Sequence, residues 1–121
     1  MPLIDISSLP VTERLPGWYG RYFHSAGMTV AHYEFRRGSH IHEHFHPQEE
    51  IYEVLDGELE LTIDGIVQVA KNGVVAIVPA DARHSVKALT DGRAIIVDSP
   101  RRPEFEEHNP SQSGTNPAPP A

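Results

Sequence analysis

The amino-acid sequence predicts an all-β fold, and three observations carry that prediction. Turn-forming pairs recur along the chain, Asp56-Gly57, Asp64-Gly65, Asn72-Gly73 and Asp91-Gly92, each suited to the positive φ angles of a tight turn. Between them stand short segments rich in Val, Ile, Leu and Tyr, at the regular spacing of a β-sandwich or barrel. Leu59, Leu61 and Ile63 alternate with Glu58, Glu60 and Thr62, which is the pattern of a strand with one buried and one wet face.

In chain order the expected strands cover residues 29–35, 40–45, 51–55, 58–63, 66–70, 74–78, 84–89 and 93–98. Asp56-Gly57 and Asp64-Gly65 are expected to make consecutive two-residue hairpins. No segment reads as a helix. Residues 1–23 carry Pro2, Pro10 and Pro16 and then Trp18, Tyr19, Tyr22 and Phe23. They are expected as an arm that crosses the barrel surface or a neighbouring subunit. Residues 24–105 form the expected barrel, and residues 106–121, polar and proline-rich, are expected to be disordered.

Composition narrows the function classes. With 121 residues the chain suits one hydrophobic core. Its net charge of -7, with no basic run beyond Arg36-Arg37 and Arg101-Arg102, argues against nucleic acid as a partner. No apolar run approaches the ~18 residues of a membrane helix, and the N-terminus lacks a basic-then-apolar leader, so a cytoplasmic protein without membrane contact is expected. The absence of cysteine excludes disulfides, zinc-thiolate sites and thiol nucleophiles. Any metal must be held by His and carboxylate.

There are eight histidines, and His40, His42, His44 and His46 have the same parity. On a regular strand their imidazoles would project from one face, about 7 Å apart at each step of two residues. By itself such a run fits a solvated polar face as well as a set of ligands.

The residues downstream add the missing context. From Gly38 the chain runs five residues to His44, one to His46, three to Glu50 and six to Gly57. A second pattern runs from Gly73 through Pro79 to His84. Together these resemble the two motifs of the cupin superfamily, over roughly residues 28 to 100, with Asp81 in place of a usual glycine and Ala88 in place of a usual asparagine. The resemblance implies a single antiparallel jelly-roll β-barrel with a metal on His44, His46, Glu50 and His84. His44 and His46 would share a strand face, Glu50 would open the next strand, and His84 would arrive from a distant strand across the barrel. Three imidazoles and a carboxylate suit one divalent transition metal, Fe, Mn, Ni, Co or Zn, and leave one or two positions open. His40 and His42 match no ligand position and are expected at the cavity mouth.

Tyr52 and Val54 share parity with Glu50, and Val86 with His84, so all should face the cavity. Tyr52 either packs in the core or offers its hydroxyl to the site. Within the superfamily the chain is most similar to the pectin-degradation cupins that linearise unsaturated uronates, through residues 44–50 and the closing segment 99–105. That similarity implies that Arg102 meets a substrate carboxylate near the cavity mouth. The group's usual glutamine ligand is replaced by Glu50 and its catalytic aspartate by Ile96, with Asp98 two residues away. Two functions remain open: a metal-dependent enzyme acting on a small polar or anionic oxygenated substrate, with Tyr52 and Arg102 as catalytic candidates, or a non-catalytic module that binds a sugar or other effector. A homodimer is expected, because open strand edges are usually covered and the aromatic N-terminal segment exceeds what one small barrel needs.

Overall fold

A computed structural model describes residues 3–106 of the protein. Residues 107–121, nearly all of the expected tail, lie outside the described residues. Two antiparallel sheets face each other across one core. The strands are β1 (Thr12–Leu15), β2 (Trp18–His24), β3 (Thr29–Phe35), β4 (His40–His44), β5 (Glu49–Asp56), β6 (Glu58–Ile63), β7 (Ile66–Lys71), β8 (Val75–Val78), β9 (His84–Ala88) and β10 (Gly92–Ser99). The larger sheet has the order β1-β2-β3-β10-β5-β8, and the smaller has the order β4-β9-β6-β7. Successive strands mostly change sheet, as in a jelly roll. Among the described residues, helix is confined to a 3-10 turn at Ile6–Ser8 and one α turn, α1 (Pro103–Glu106). No helix is long and apolar enough to cross a membrane.

Alternation decides what fills the core. Tyr33 and Phe35 from β3, Tyr52 and Val54 from β5, Leu59 and Leu61 from β6 and Ile96 from β10 are all buried, while residues between them point outward. Trp18 packs against Tyr33 and Phe35, with ring centroids 5.7 and 5.4 Å apart.

Three expectations are corrected. Residues 12–24 do not cross the barrel as an arm: β1 and β2 pair with each other, and β2 pairs with β3 along its whole length. Gly17, at φ 85°, makes the tight turn between them, and Trp18 is spent on this chain's own core. Of the two expected Asp-Gly hairpins, Asp64-Gly65 alone closes one, β6–β7, with both residues at positive φ. At Asp56-Gly57 the chain instead leaves the larger sheet for the smaller one. Gly57 is needed there for space, since a Cβ would lie 2.5 Å from the Asp91 carbonyl oxygen. Finally, Thr29–Phe35 and the strands after β4 stand within two residues of the expected bounds, but the parity of β4 is broken. Its pairing with β9 slips between Ile41 and His44, opposite Val86 and His84. This one-residue bulge turns both Ile41 and His44 inward and leaves His40 and His42 exposed.

Candidate metal centre

The bulge in β4 brings His44 to a position directly opposite His84 of β9, and their ring centroids are 4.2 Å apart. His84 therefore reaches the site from the neighbouring strand rather than from across the barrel. His46 follows in the loop after β4, and Glu50 comes from β5 in the opposite sheet. One ligand atom from each of the four residues lies within 4.8 Å of the others, and all four residues are buried.

Backbone carbonyls set the three rings. Nδ1 of His44 donates to the carbonyl of His42 at 2.8 Å, Nδ1 of His46 to that of Gln48 at 3.1 Å, and Nδ1 of His84 to that of Ala82 at 2.8 Å. Each bond fixes the tautomer that turns a bare Nε2 toward the centre. Further bonds tie down the segments that carry them: Gln48 Nε2 donates to the Arg101 carbonyl at 3.0 Å, and the Asp81 amide donates to the His46 carbonyl at 2.9 Å. Asp81 stands at φ 65°, so the position where cupins usually carry glycine keeps a left-handed backbone here.

The residues fit a divalent cation. Nε2 of His44 and of His46 are buried with no hydrogen-bond partner. Buried polar atoms are seldom left so, and a metal would satisfy both. Nε2 of His84 lies 3.1 Å and Nε2 of His46 3.6 Å from Glu50 Oε1. Burial lowers the His44 imidazole to about 4, which favours the neutral form a metal needs. Burial opposes the charge on Glu50, yet the polar groups of His46, His84 and Asp98 outweigh it and hold the carboxylate well below its ordinary range.

Of the other expected site residues, Tyr52 faces inward beside Glu50, fully buried, and its hydroxyl has no hydrogen-bond partner. Burial and the Glu50 charge raise that hydroxyl far above 10, so it keeps its proton. Arg102 is not at a cavity mouth. It is 0% exposed and lies among three carboxyl groups, Glu104 at 2.7 Å, Asp98 at 3.4 Å and Glu50 at 3.8 Å. Phe105 lies against the guanidinium at 4.5 Å. Arg83 points outward as expected and pairs with Glu43 at 3.2 Å.

Sequence reasoning undervalued Asp98. It is the ladder partner of Glu50, whereas Ile96 pairs with Tyr52. Burial and the adjacent Glu50 push its carboxyl up to about 10, so it is protonated at neutral pH. Its parity with Ile96 was the available signal. The ordering role of Gln48 had none.

The family profile of the cupin domain matches residues 31–100. The chain belongs to the cupin family. Its fold is similar to that of an RmlC-like cupin from Shewanella frigidimarina NCIMB 400, with 21% identity over 87% of this chain and 96% of that one and a TM-score of 0.81. KdgF from Halomonas sp. is similar at 22% identity over 87% of this chain and 98% of that one, with a TM-score of 0.80. Oxalate decarboxylase from Bacillus subtilis, a protein with Mn(II) centres, matches at 18% identity over 80% of this chain and 29% of its own length, with a TM-score of 0.72. No curated protein matches the chain by sequence. This cupin thus shares a barrel with those proteins and carries a buried His-His-Glu-His cluster that could hold a metal.

Proposed function

We propose that this cupin is a metal-dependent enzyme acting on a small, oxygen-rich anionic substrate. The observation that carries the reading is the convergence of three oriented Nε2 atoms and the Glu50 carboxylate beside the unpartnered Tyr52 hydroxyl. Similarity to oxalate decarboxylase and to KdgF, together with the resemblance of residues 44–50 and 99–105 to the pectin-degradation cupins, supports a carboxylate-bearing substrate. His44, His46, Glu50 and His84 would hold the metal, which when bound supplies a positive charge that polarises a substrate oxygen.

The chain's own groups then divide the remaining work. The protonated Tyr52 hydroxyl donates a hydrogen bond to substrate. Asp98, also protonated, supports Glu50 from the neighbouring strand. Arg102 is a positioning residue in this reading: buried under Glu50 and Asp98, it holds both carboxyl groups rather than clamping a substrate. The reading includes a homodimer in the cytoplasm.

The test is a turnover screen of metal-loaded protein against small carboxylates, oxalate and unsaturated uronates among them, with wild type beside Tyr52→Phe. The expected result is turnover that falls about 10²-fold or more in Tyr52→Phe, the usual scale for losing a proton-donating group, with metal content unchanged. Ligands that bind tightly at the metal without turnover would instead establish the non-catalytic binding module.

A further inference from the structure

The inner face of the larger sheet carries polar groups well beyond the metal cluster. Register places Glu50, Asp98, Thr29 and His24 in one row across β5, β10, β3 and β2, and Tyr52, Ile96, Ala31 and Tyr22 in the next. Both rows start at the metal cluster on β5 and end on β2, three strand spacings or about 14 Å away. At that far end stand groups that the reading above leaves without work. Arg14, on β1, is half-buried, and its Nε is buried with no hydrogen-bond partner. Its guanidinium lies 4.4 Å from the centre of the Phe105 ring, which Arg102 also touches at 4.5 Å. Tyr22 packs against the same ring, with centroids 5.1 Å apart, and its hydroxyl meets that of Tyr33 at 2.5 Å.

The two arginines differ in what they hold. Arg102 Nε engages the Glu104 carboxylate at 2.7 Å, so an anion that attracts Arg14 is already committed elsewhere. Burial lowers the Arg14 guanidinium below its ordinary value, so its cation is short of solvation that a bound anion would replace. Burial also pushes the Tyr22 hydroxyl up to about 12, so it keeps its proton. A hydrogen bond between two hydroxyls uses one of their protons and leaves the other for a ligand. Tyr33 lies within reach of both ends, since the Glu50 charge raises its hydroxyl and the Arg14 charge lowers it. The metal cluster and Arg14 therefore face one interior.

We propose that Arg14 and the Tyr22 hydroxyl form a second anion site, which takes the far carboxylate of an elongated substrate whose near end meets the metal cluster. The proposal rests on the anionic-substrate reading above and narrows it to dianions. Arginine presents a planar fork of donors that matches a carboxylate. Arg102 is held under Glu50 and Glu104, whereas Arg14 has that fork to offer. Oxalate, whose two carboxyl groups are bonded directly to each other, is too short to reach both sites. An acid with several carbons between its anionic groups is the class that fits.

Calorimetric titration of metal-loaded protein with linear dicarboxylates of two to eight carbons, each beside the monocarboxylate of the same length, tests this. Dicarboxylates on the order of six to eight carbons should bind at least about tenfold tighter than their monocarboxylate counterparts, the scale of a charge-assisted hydrogen bond. Arg14→Gln should abolish that advantage while leaving oxalate, the monocarboxylates and the metal content as in wild type. Arg14→Lys should keep part of the advantage, and Tyr22→Phe, which retains the ring against Phe105, should reduce it. Failure of every acid to bind the wild type overturns the anionic-substrate reading and this site with it. Acids that bind without a dicarboxylate advantage overturn this site alone. So does an advantage that stays intact in Tyr22→Phe and in whichever Arg14 variant retains its metal.

Discussion

Glu50 and Asp98 sit opposite each other in the β5–β10 ladder, and one buried guanidinium serves both: Arg102 Nη1 lies 3.8 Å from Glu50 Oε2 and 3.4 Å from Asp98 Oδ2. The two carboxyl groups are pushed in opposite directions, Glu50 down and Asp98 up to about 10, so at neutral pH they hold one proton between them. The cluster is therefore nearly neutral in spite of its three ionisable groups.

Asp98 makes the metal-free protein lose stability as pH rises. Its folded value is raised above the ordinary 3.8, so its contribution is full below that value and is lost as pH climbs toward about 10. Asp98→Asn is neutral in both states and should flatten the fall in melting temperature between about pH 5 and pH 9. Thermal denaturation of the metal-free variant and wild type across that range checks this. Parallel curves would contradict the protonated Asp98.

Removing Arg102 should damage the fold rather than substrate binding alone. Its side chain is 0% exposed, and Arg102→Ala strands the Glu50 and Glu104 carboxylates without their cation. Breaking a buried pair by deleting one partner costs about 3–5 kcal/mol. Denaturant unfolding should show a loss on that scale. A loss below about 1 kcal/mol, the range of a surface pair, would mean that the guanidinium is solvated.

Metal occupancy should persist below the pH at which an ordinary histidine takes up its proton. A ligand imidazole must be neutral, and burial lowers His44 from 6.5 to about 4. Protons compete for this ligand only as pH falls toward that lower value. Equilibrium dialysis of metal from pH 7 to pH 4 should show retention through about pH 6 and loss nearer pH 4. Release centred above pH 6.5 would contradict a desolvated His44.

Much of this was legible in the sequence because the ligands obey short-range spacing. His44, His46 and Glu50 lie within seven residues, and motif spacing brings in His84, so all four meet in the barrel. Their local route was not legible. A bulge after Ile41 costs nothing in composition, yet it reverses which β4 histidines face inward. An Asp-Gly pair specifies a turn but not its pairing, so Asp56-Gly57 and Asp64-Gly65 read alike while one changes sheets and the other closes a hairpin. Pro16 and Gly17 disguised a β1–β2 turn as an irregular arm. Arg102 follows the last strand, but its burial depends on Asp98, Glu104 and Phe105 folding back around it, which no spacing rule conveys.

The most direct test of the account is the metal content of protein purified without a histidine tag, wild type beside His44→Ala/His46→Ala. Losing two of four ligands leaves too few donors to complete a tetrahedral or larger coordination shell. The account predicts about one divalent transition metal per wild-type chain, on the order of a tenth of that or less in the double variant, and circular dichroism spectra that coincide. Equal metal in the two proteins, or a wild type that takes up none from a buffered excess of Fe, Mn, Ni, Co or Zn, would contradict it.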